Sequence, residues 1–243
     1  MCTVIIRIPH DAEAAVQLLA VRDEDPGRQW DPLGAWWPDR PGVVGVRDRR
    51  SGGAWLAAEP QGGRLAVVLN REGAPDLPDD QILSRGTLPL DALENAPLPV
   101  LERVRGFNLV TIDAGGASVT SWSGSMPLET TTLAPGTHML AHDDVDDPRT
   151  ARIASWREAF AAAPFDEWPA LLARTTEVGA DDDRAIVRDN RAHGYPTLTT
   201  LACLAEVHPD RADVRYAALD APAEMRAPLD FLPATRAETP RDA

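Results

Sequence analysis

The chain is expected to adopt an α+β fold in which two mainly antiparallel sheets pack together and are flanked by helices. Three observations lead there. Short β-branched and apolar runs recur in two groups, one before residue 71 and one after residue 106. Glycine pairs and prolines separate the runs, as hairpin turns require. Helical spacing is concentrated between the groups and after residue 148. Two strand groups with intervening helices bury their apolar faces by stacking as layers. A length of 243 residues with 44% apolar content is enough for one substantial core. One domain over residues 1–232 is therefore expected, with a polar, disordered tail at 233–243.

Taken in order, Cys2 to Ile8 is β-branched and apolar, and Pro9 stops it. Gln17 to Arg22 is a second strand, reached through a brief helix-like connection from Asp11 to Val16. Val43 to Arg47, Ala54 to Ala58 and Arg64 to Asn70 follow as a meander, with Gly52-Gly53 and Gly62-Gly63 at the turns. Gly73 to Pro89 is rich in Pro and Asp and is read as a surface loop. Leu90 to Arg105 places Leu90, Leu93, Leu98, Leu101 and Val104 at near-helical spacing, a pattern that Pro97 and Pro99 weaken or split. Phe107 to Ile112, Ser118 to Trp122, Glu129 to Leu133 and His138 to Ala141 form a second strand group. Arg149 to Ala163 and Asp166 to Thr175 are helices broken at Pro164. Thr199 to Val207 and Val214 to Leu219 close the chain as a strand pair.

A net charge of −14 disfavours binding to phosphate backbones and anionic headgroups. The one basic run, Arg47-Asp48-Arg49-Arg50, is short and interrupted, and reads as a solvated turn. No nucleic-acid partner is expected. No apolar stretch reaches the roughly 20 residues of a membrane span. Arg7, His10, Asp11 and Glu13 exclude a signal-peptide core from the first twenty residues. A cytoplasmic protein is the default. Cys2 and Cys203 give neither a disulfide framework nor metal-ligand spacing.

Chemistry centres on Cys2. Removal of Met1 would leave one residue carrying an α-amine, with an ordinary pKa of about 7.7–8.0, and a thiol at about 8.5. Nucleophile and general base would then share a residue and titrate near neutral pH.

The segments around this cysteine carry a resemblance. Ala20-Val21-Arg22-Asp23-Glu24 follows an amino-terminal Met-Cys-Thr-Val-Ile-Ile strand, with Pro32, Trp36 and Trp37 behind it. Gly52-Gly53-Ala54-Trp55-Leu56 comes next, then Gly63-Arg64-Leu65-Ala66 leading to Asn70. Gly106-Phe107-Asn108-Leu109 and Pro135-Gly136-Thr137-His138 complete the series. In order and spacing these segments resemble the NRDE family, also called the Transport and Golgi organisation 2 family, over roughly residues 1 to 165. The resemblance implies a four-layer αββα fold like that of the N-terminal nucleophile hydrolases. It also implies kinship to cysteine amidases of the cholylglycine and penicillin V hydrolase type. On that footing Cys2 is the nucleophile, Arg22 favours its thiolate, Asp23 orients the α-amine and Asn70 donates to the oxyanion. Three positions depart from the pattern. Val21 stands for the Asn of the name motif, His142 for a later Asn, and Tyr195-Pro196-Thr197-Leu198 for Gly-Thr-Arg-Ser.

Each role has a physical basis. A guanidinium beside a thiol lowers its pKa, and an amide aimed at an oxyanion is worth about 2.7–4 kcal/mol. One geometric condition attaches. Arg22 and Asp23 are neighbours, and strand neighbours point to opposite faces. Both serve Cys2 only if the strand ends or bulges there; otherwise Arg22 shares its face with Glu24.

Trp36, Trp37, Trp55 and His142 are candidate pocket residues, and the loop from Arg28 through Trp30 to Pro41 is a candidate lid. His138 and His142 are four apart, but Pro135-Gly136 argues against the helix that would make them a zinc pair. Asp181-Asp182-Asp183 lacks the alternation of a calcium loop, so neither metal nor cofactor is expected. Glutamine amidotransferase domains, which also begin at such a cysteine, resemble one another in a glycine where Thr3 stands here. The expected activity is therefore hydrolysis of the C–N bond of a small non-peptide amide. The alternative is a non-catalytic carrier of an acyl, lipid or haem-like hydrophobic ligand.

Overall fold

The computed structural model describes residues 2–124 and 127–234. The first half runs β1 (Thr3–Ile8), β2 (Val16–Glu24), β3 (Trp30–Gly34), β4 (Val44–Asp48), β5 (Ala54–Glu59), β6 (Arg64–Asn70) and α1 (Leu88–Leu93). The second half continues with β7 (Phe107–Asp113), β8 (Gly116–Trp122), β9 (Glu129–Thr132), β10 (Gly136–Leu140), α2 (Ala151–Ala162) and α3 (Trp168–Arg174). β11 (Leu198–Val207), β12 (Ala212–Ala218) and β13 (Leu232–Pro233) complete it. The strands lie in two antiparallel sheets. One has the order β10-β1-β2-β11-β12-β13, and the other is an unbroken meander from β3 to β9.

Period-two alternation in β1 and β2 sorts side chains to two sides. Val4, Ile6, Leu18 and Ala20 join Leu56, Val67 and Val110 of the meander in one buried cluster between the sheets. Ile5, Leu19 and Val21 join a second cluster with Ile153 and Phe160 of α2 and Trp168 and Leu172 of α3. The α2–α3 pair thus covers the outer side of the first sheet. α1 lies against β5, β6 and β7. Arg64, which alternates away from Leu65 and Val67, reaches the Ala92 carbonyl of α1 at 3.2 Å. Two stacked sheets with helices outside them therefore follow from alternation alone.

The expected strands are all present, with ends within two residues of those read from the sequence. The differences have local causes. Trp30–Gly34, expected as loop, is a strand at the sheet edge and pairs only with β4, so the missing N–H of Pro32 breaks no ladder. The Leu90 to Arg105 helix is reduced to Leu88–Leu93, and Asn95 turns to a φ of 52° ahead of Pro97 and Pro99. Asp11 to Val16 is a turn running into β2 rather than a helix. Of the tail expected to be disordered, Pro233 pairs with Arg215 as part of β13; residues 235–243 lie outside the described residues.

Three features of this frame set the site. The β1–β2 ladder pairs Thr3 with Val21, and one further step brings Cys2 opposite Arg22. The β2–β11 ladder pairs Asp23 with Thr199 but Arg22 with Leu201, so Thr200 is an extra residue and β11 bulges there. Gly53, opening β5, touches the backbone of Gly86, and a side chain at Gly53 would collide with it. That contact holds the Ser84–Gly86 turn over the end of the sheet.

A polar cavity beside Cys2

Cys2 closes the inner core at the end of β1 and is 6% exposed. Its Sγ lies 3.7 Å from the Asp23 carbonyl oxygen, to which the thiol donates. Cys2, Arg22, Asp23, Trp55 and Asn70 all border one cavity of about 500 Å³. Burial pushes the Cys2 thiol up, the Asp23 carboxylate adds to that, and the Arg22 guanidinium pulls the other way without prevailing. The sign expected for Arg22 is present, but desolvation outweighs it, so the sulfur rests as a thiol.

Arg22 is 3% exposed. Its Nη2 donates to Glu24 Oε2 at 3.1 Å, while its Nη1 is buried without a hydrogen-bond partner. Arg22 and Glu24 thus share a strand face, as alternation requires. Asp23 points the other way into a buried polar network, yet still borders the cavity. Its Oδ1 accepts from the Thr199 hydroxyl at 2.6 Å and its Oδ2 from the Asn190 side-chain amide at 3.0 Å. The same Thr199 hydroxyl accepts from the Arg188 backbone N–H at 2.7 Å, and Asn190 Oδ1 accepts from Arg188 Nε at 3.0 Å. Arg152 of α2 donates to the Thr3 hydroxyl at 2.9 Å, and burial lowers this guanidinium to about 10. The bulge at Thr200 lets Thr199 face Asp23 while Leu201 returns to the inner core.

Apart from Arg28 of the expected lid, the rest of the wall was not marked as functional by sequence. Arg28 and Arg50 border the cavity beside Asp48, whose Oδ2 pairs with Arg28 Nε at 2.5 Å. Arg50 belongs to the run read as a solvated turn. Arg85 enters from the Ser84–Gly86 turn and donates from Nη1 to the Gly106 carbonyl at 2.7 Å. Burial and the neighbouring Arg105 lower Arg85 to about 10, while Cys2 and Glu24 oppose the shift. It remains a cation at neutral pH. Gly52-Gly53 was the only sequence signal for this arrangement, through the backbone approach that places the Arg85 turn.

The remaining pocket candidates lie elsewhere. Trp36 donates from Nε1 to the Pro32 carbonyl at 2.7 Å and stacks under Arg47 at 5.1 Å. Trp37 donates to the Gly52 carbonyl and lies over Gly45. Neither borders the Cys2 cavity. Of the expected lid, Arg28 borders it, whereas Trp30–Gly34 is the edge strand. His142 follows β10, sits 3.3 Å from Asp143 Oδ2 through Nε2, and keeps Nδ1 buried without a partner. Burial lowers its pKa. His138 is on β10, held by Asp146 Oδ2 at 2.7 Å and the Ala134 carbonyl at 2.9 Å. Among the described residues no cluster of His, Cys, Asp and Glu has the makings of a metal site, and no helix is long and apolar enough to cross a membrane.

The family model described as Transport and Golgi organisation 2 matches residues 1–168, which contain Cys2, Arg22, Asp23 and Asn70. No curated protein matches the chain.

Proposed function

This chain belongs to the Transport and Golgi organisation 2 family, and from that premise we propose that it is an N-terminal cysteine hydrolase of the αββα type, cleaving the C–N bond of a small non-peptide amide. The observation that carries the reading is the convergence of Cys2, Arg22, Asp23 and Asn70 on one cavity. Once Met1 is removed, the Cys2 α-amine takes the thiol proton and the sulfur attacks the amide carbon. Asn70 donates to the oxyanion that forms. Collapse expels the amine, which leaves with the proton returned by the α-ammonium, and a thioester remains on Cys2. Water then attacks the thioester, passing one proton to the α-amine, and release of the acid restores the thiol.

Asp23 suits the task of orienting the amine, because two neutral donors fix its carboxylate. The raised thiol makes a neighbouring base a requirement rather than a refinement. The carrier reading draws less support, because a wall of arginines and carboxylates fits a polar ligand better than a lipid or haem-like one.

The test is intact mass before and after brief alkylation at pH 7. A mass lacking Met1, with one rapid label on Cys2, supports the reading. Cys203 is fully buried with its thiol pushed up, so it does not confuse the count. All 24 basic residues are arginine, so an amine-selective reagent reads the α-amine without competing lysines. Retained Met1 together with an unlabelled Cys2 would sink the mechanism.

A further inference from the structure

The wall of the Cys2 cavity is locally basic in an acidic protein. Arg22, Arg28, Arg50, Arg85 and Arg105 border it, against the carboxylates of Asp23, Glu24, Asp48 and Asp79. The chain as a whole carries −14, yet here the cations are one in excess. Most of these arginines are already engaged. Arg22 Nη2 bonds Glu24, Arg28 pairs with Asp48, and Arg105 pairs with Asp79 at 2.5 Å.

Besides the exposed Arg50, whose side chain forms no ion pair among the described residues, two less exposed donors are left over. Arg22 Nη1 is buried in a side chain only 3% exposed and has no hydrogen-bond partner. Among the described residues Arg85 forms no ion pair, and its one hydrogen bond is to the Gly106 carbonyl. A buried donor without an acceptor is costly, more so when charged, and such a group calls for a partner that the fold itself does not supply. Burial and Arg105 also work against the Arg85 cation, and a bound anion would reverse both.

We propose that this cavity binds a singly charged carboxylate between Arg85 and Arg22 Nη1, so that the ligand is an N-acyl amino acid or another amide bearing a carboxylate. One excess positive charge suits one negative charge. A phosphate, carrying close to two, would meet Glu24 and Asp48 with a surplus. The inference rests on the hydrolase reading only for the amide over Cys2; the anion site stands on the arginines themselves.

The test compares N-benzoylglycine (hippurate) with its neutral amide, hippuramide, by calorimetry on Cys2→Ala protein, which cannot turn either over. Hippurate is expected to bind at least about tenfold more tightly, as a charge-assisted pair at a half-buried guanidinium would give. Arg85→Gln is expected to bring the two within about twofold, and Arg85→Lys to keep part of the difference. Arg226→Gln, on the surface away from this cavity, leaves the difference intact. Equal affinities before any change at Arg85, or no binding of hippurate at millimolar concentration, overturn the proposal without appeal to the folding of a variant. Hippurate preferred through Arg85 but amides left uncleaved by the native protein would remove the hydrolase and keep the anion site. Neutral amides cleaved with no preference for hippurate would do the reverse.

Discussion

Asp23 is held by Asn190 and Thr199, which lie 167 and 176 residues further along the chain. Both bonds are buried. Asn190→Ala is expected to cost about 1.5–3 kcal/mol, the range for a hydrogen bond to a charged group, measured as a shift in urea midpoint with unchanged slope. A larger effect on turnover than on stability would mark Asn190 as a positioning residue for Asp23. His138 carries a pH signature. The Asp146 hydrogen bond raises His138, and that bond in turn holds Asp146 below its usual range despite burial. Stability from His138 is fully present below its unfolded pKa of about 6.5 and is lost as pH rises through the higher folded value. Asp146 contributes above its unfolded pKa of about 3.9, and its share is lost as pH falls through the lower folded value. The stability gap between wild type and His138→Gln should therefore be widest near pH 5.5 and narrow by pH 9. A gap independent of pH would refute the pairing. At this scale the sequence shows Cys2, Arg22, Asp23 and Asn70, because each sits in a motif with neighbours of fixed order. Asn190, Thr199 and Arg85 carry no such local mark, since their partners are distant in sequence and their own segments are irregular or merely β-branched.

Among elements, the turn Ser84–Gly86 and the opening of β5 depend on each other. Gly53 and Gly86 meet backbone to backbone, and the Gly53 position has no room for a methyl group. Gly53→Ala is expected to push the turn outward and carry Arg85 from the cavity wall. The readout is loss of the hippurate preference, with a stability cost of about 1–3 kcal/mol typical of overpacking. An unchanged preference would show that the turn holds Arg85 without this contact. The meander and the β1–β2 pair are legible because glycine turns and alternation are local signals. β3 is not, since Pro32 and the flanking tryptophans resemble a loop until the edge position shows that Pro32 needs no ladder bond. Nor is the bulge at Thr200, because a run of ten strand residues, nine of them buried, gives no hint of which one is extra.

On the scale of the molecule the two sheets differ in how the chain builds them. The meander takes its strands in order, and its turns are readable one by one. The other sheet interleaves the start, middle and end of the chain, with β1 between β10 and β2, and β2 against β11. Which strands become neighbours there depends on loop lengths and on which faces remain to be covered, and no local pattern encodes either. Two strand groups could be read from the sequence, but the placement of β10 and β11 around Cys2 could not.

That interleaving has a consequence for how the protein is made. β1 and β2 leave the ribosome early, but β11, which covers the other side of β2 and supplies Thr199 to Asp23, is synthesised only after residue 198. At bacterial or eukaryotic elongation rates of about 5–20 residues per second, the amino terminus waits roughly ten to forty seconds before its sheet can close. Cys2 is buried once the strands assemble, so a peptidase that trims Met1 is expected to act in that interval. Methionine aminopeptidase should therefore process the urea-unfolded, Met1-bearing chain readily and the same chain after refolding slowly. Equal processing of both forms would mean that the end of β1 opens on its own in the finished protein. Slow trimming of the refolded chain would make maturation of the nucleophile a property of the nascent chain, fixed before the fold that uses it exists.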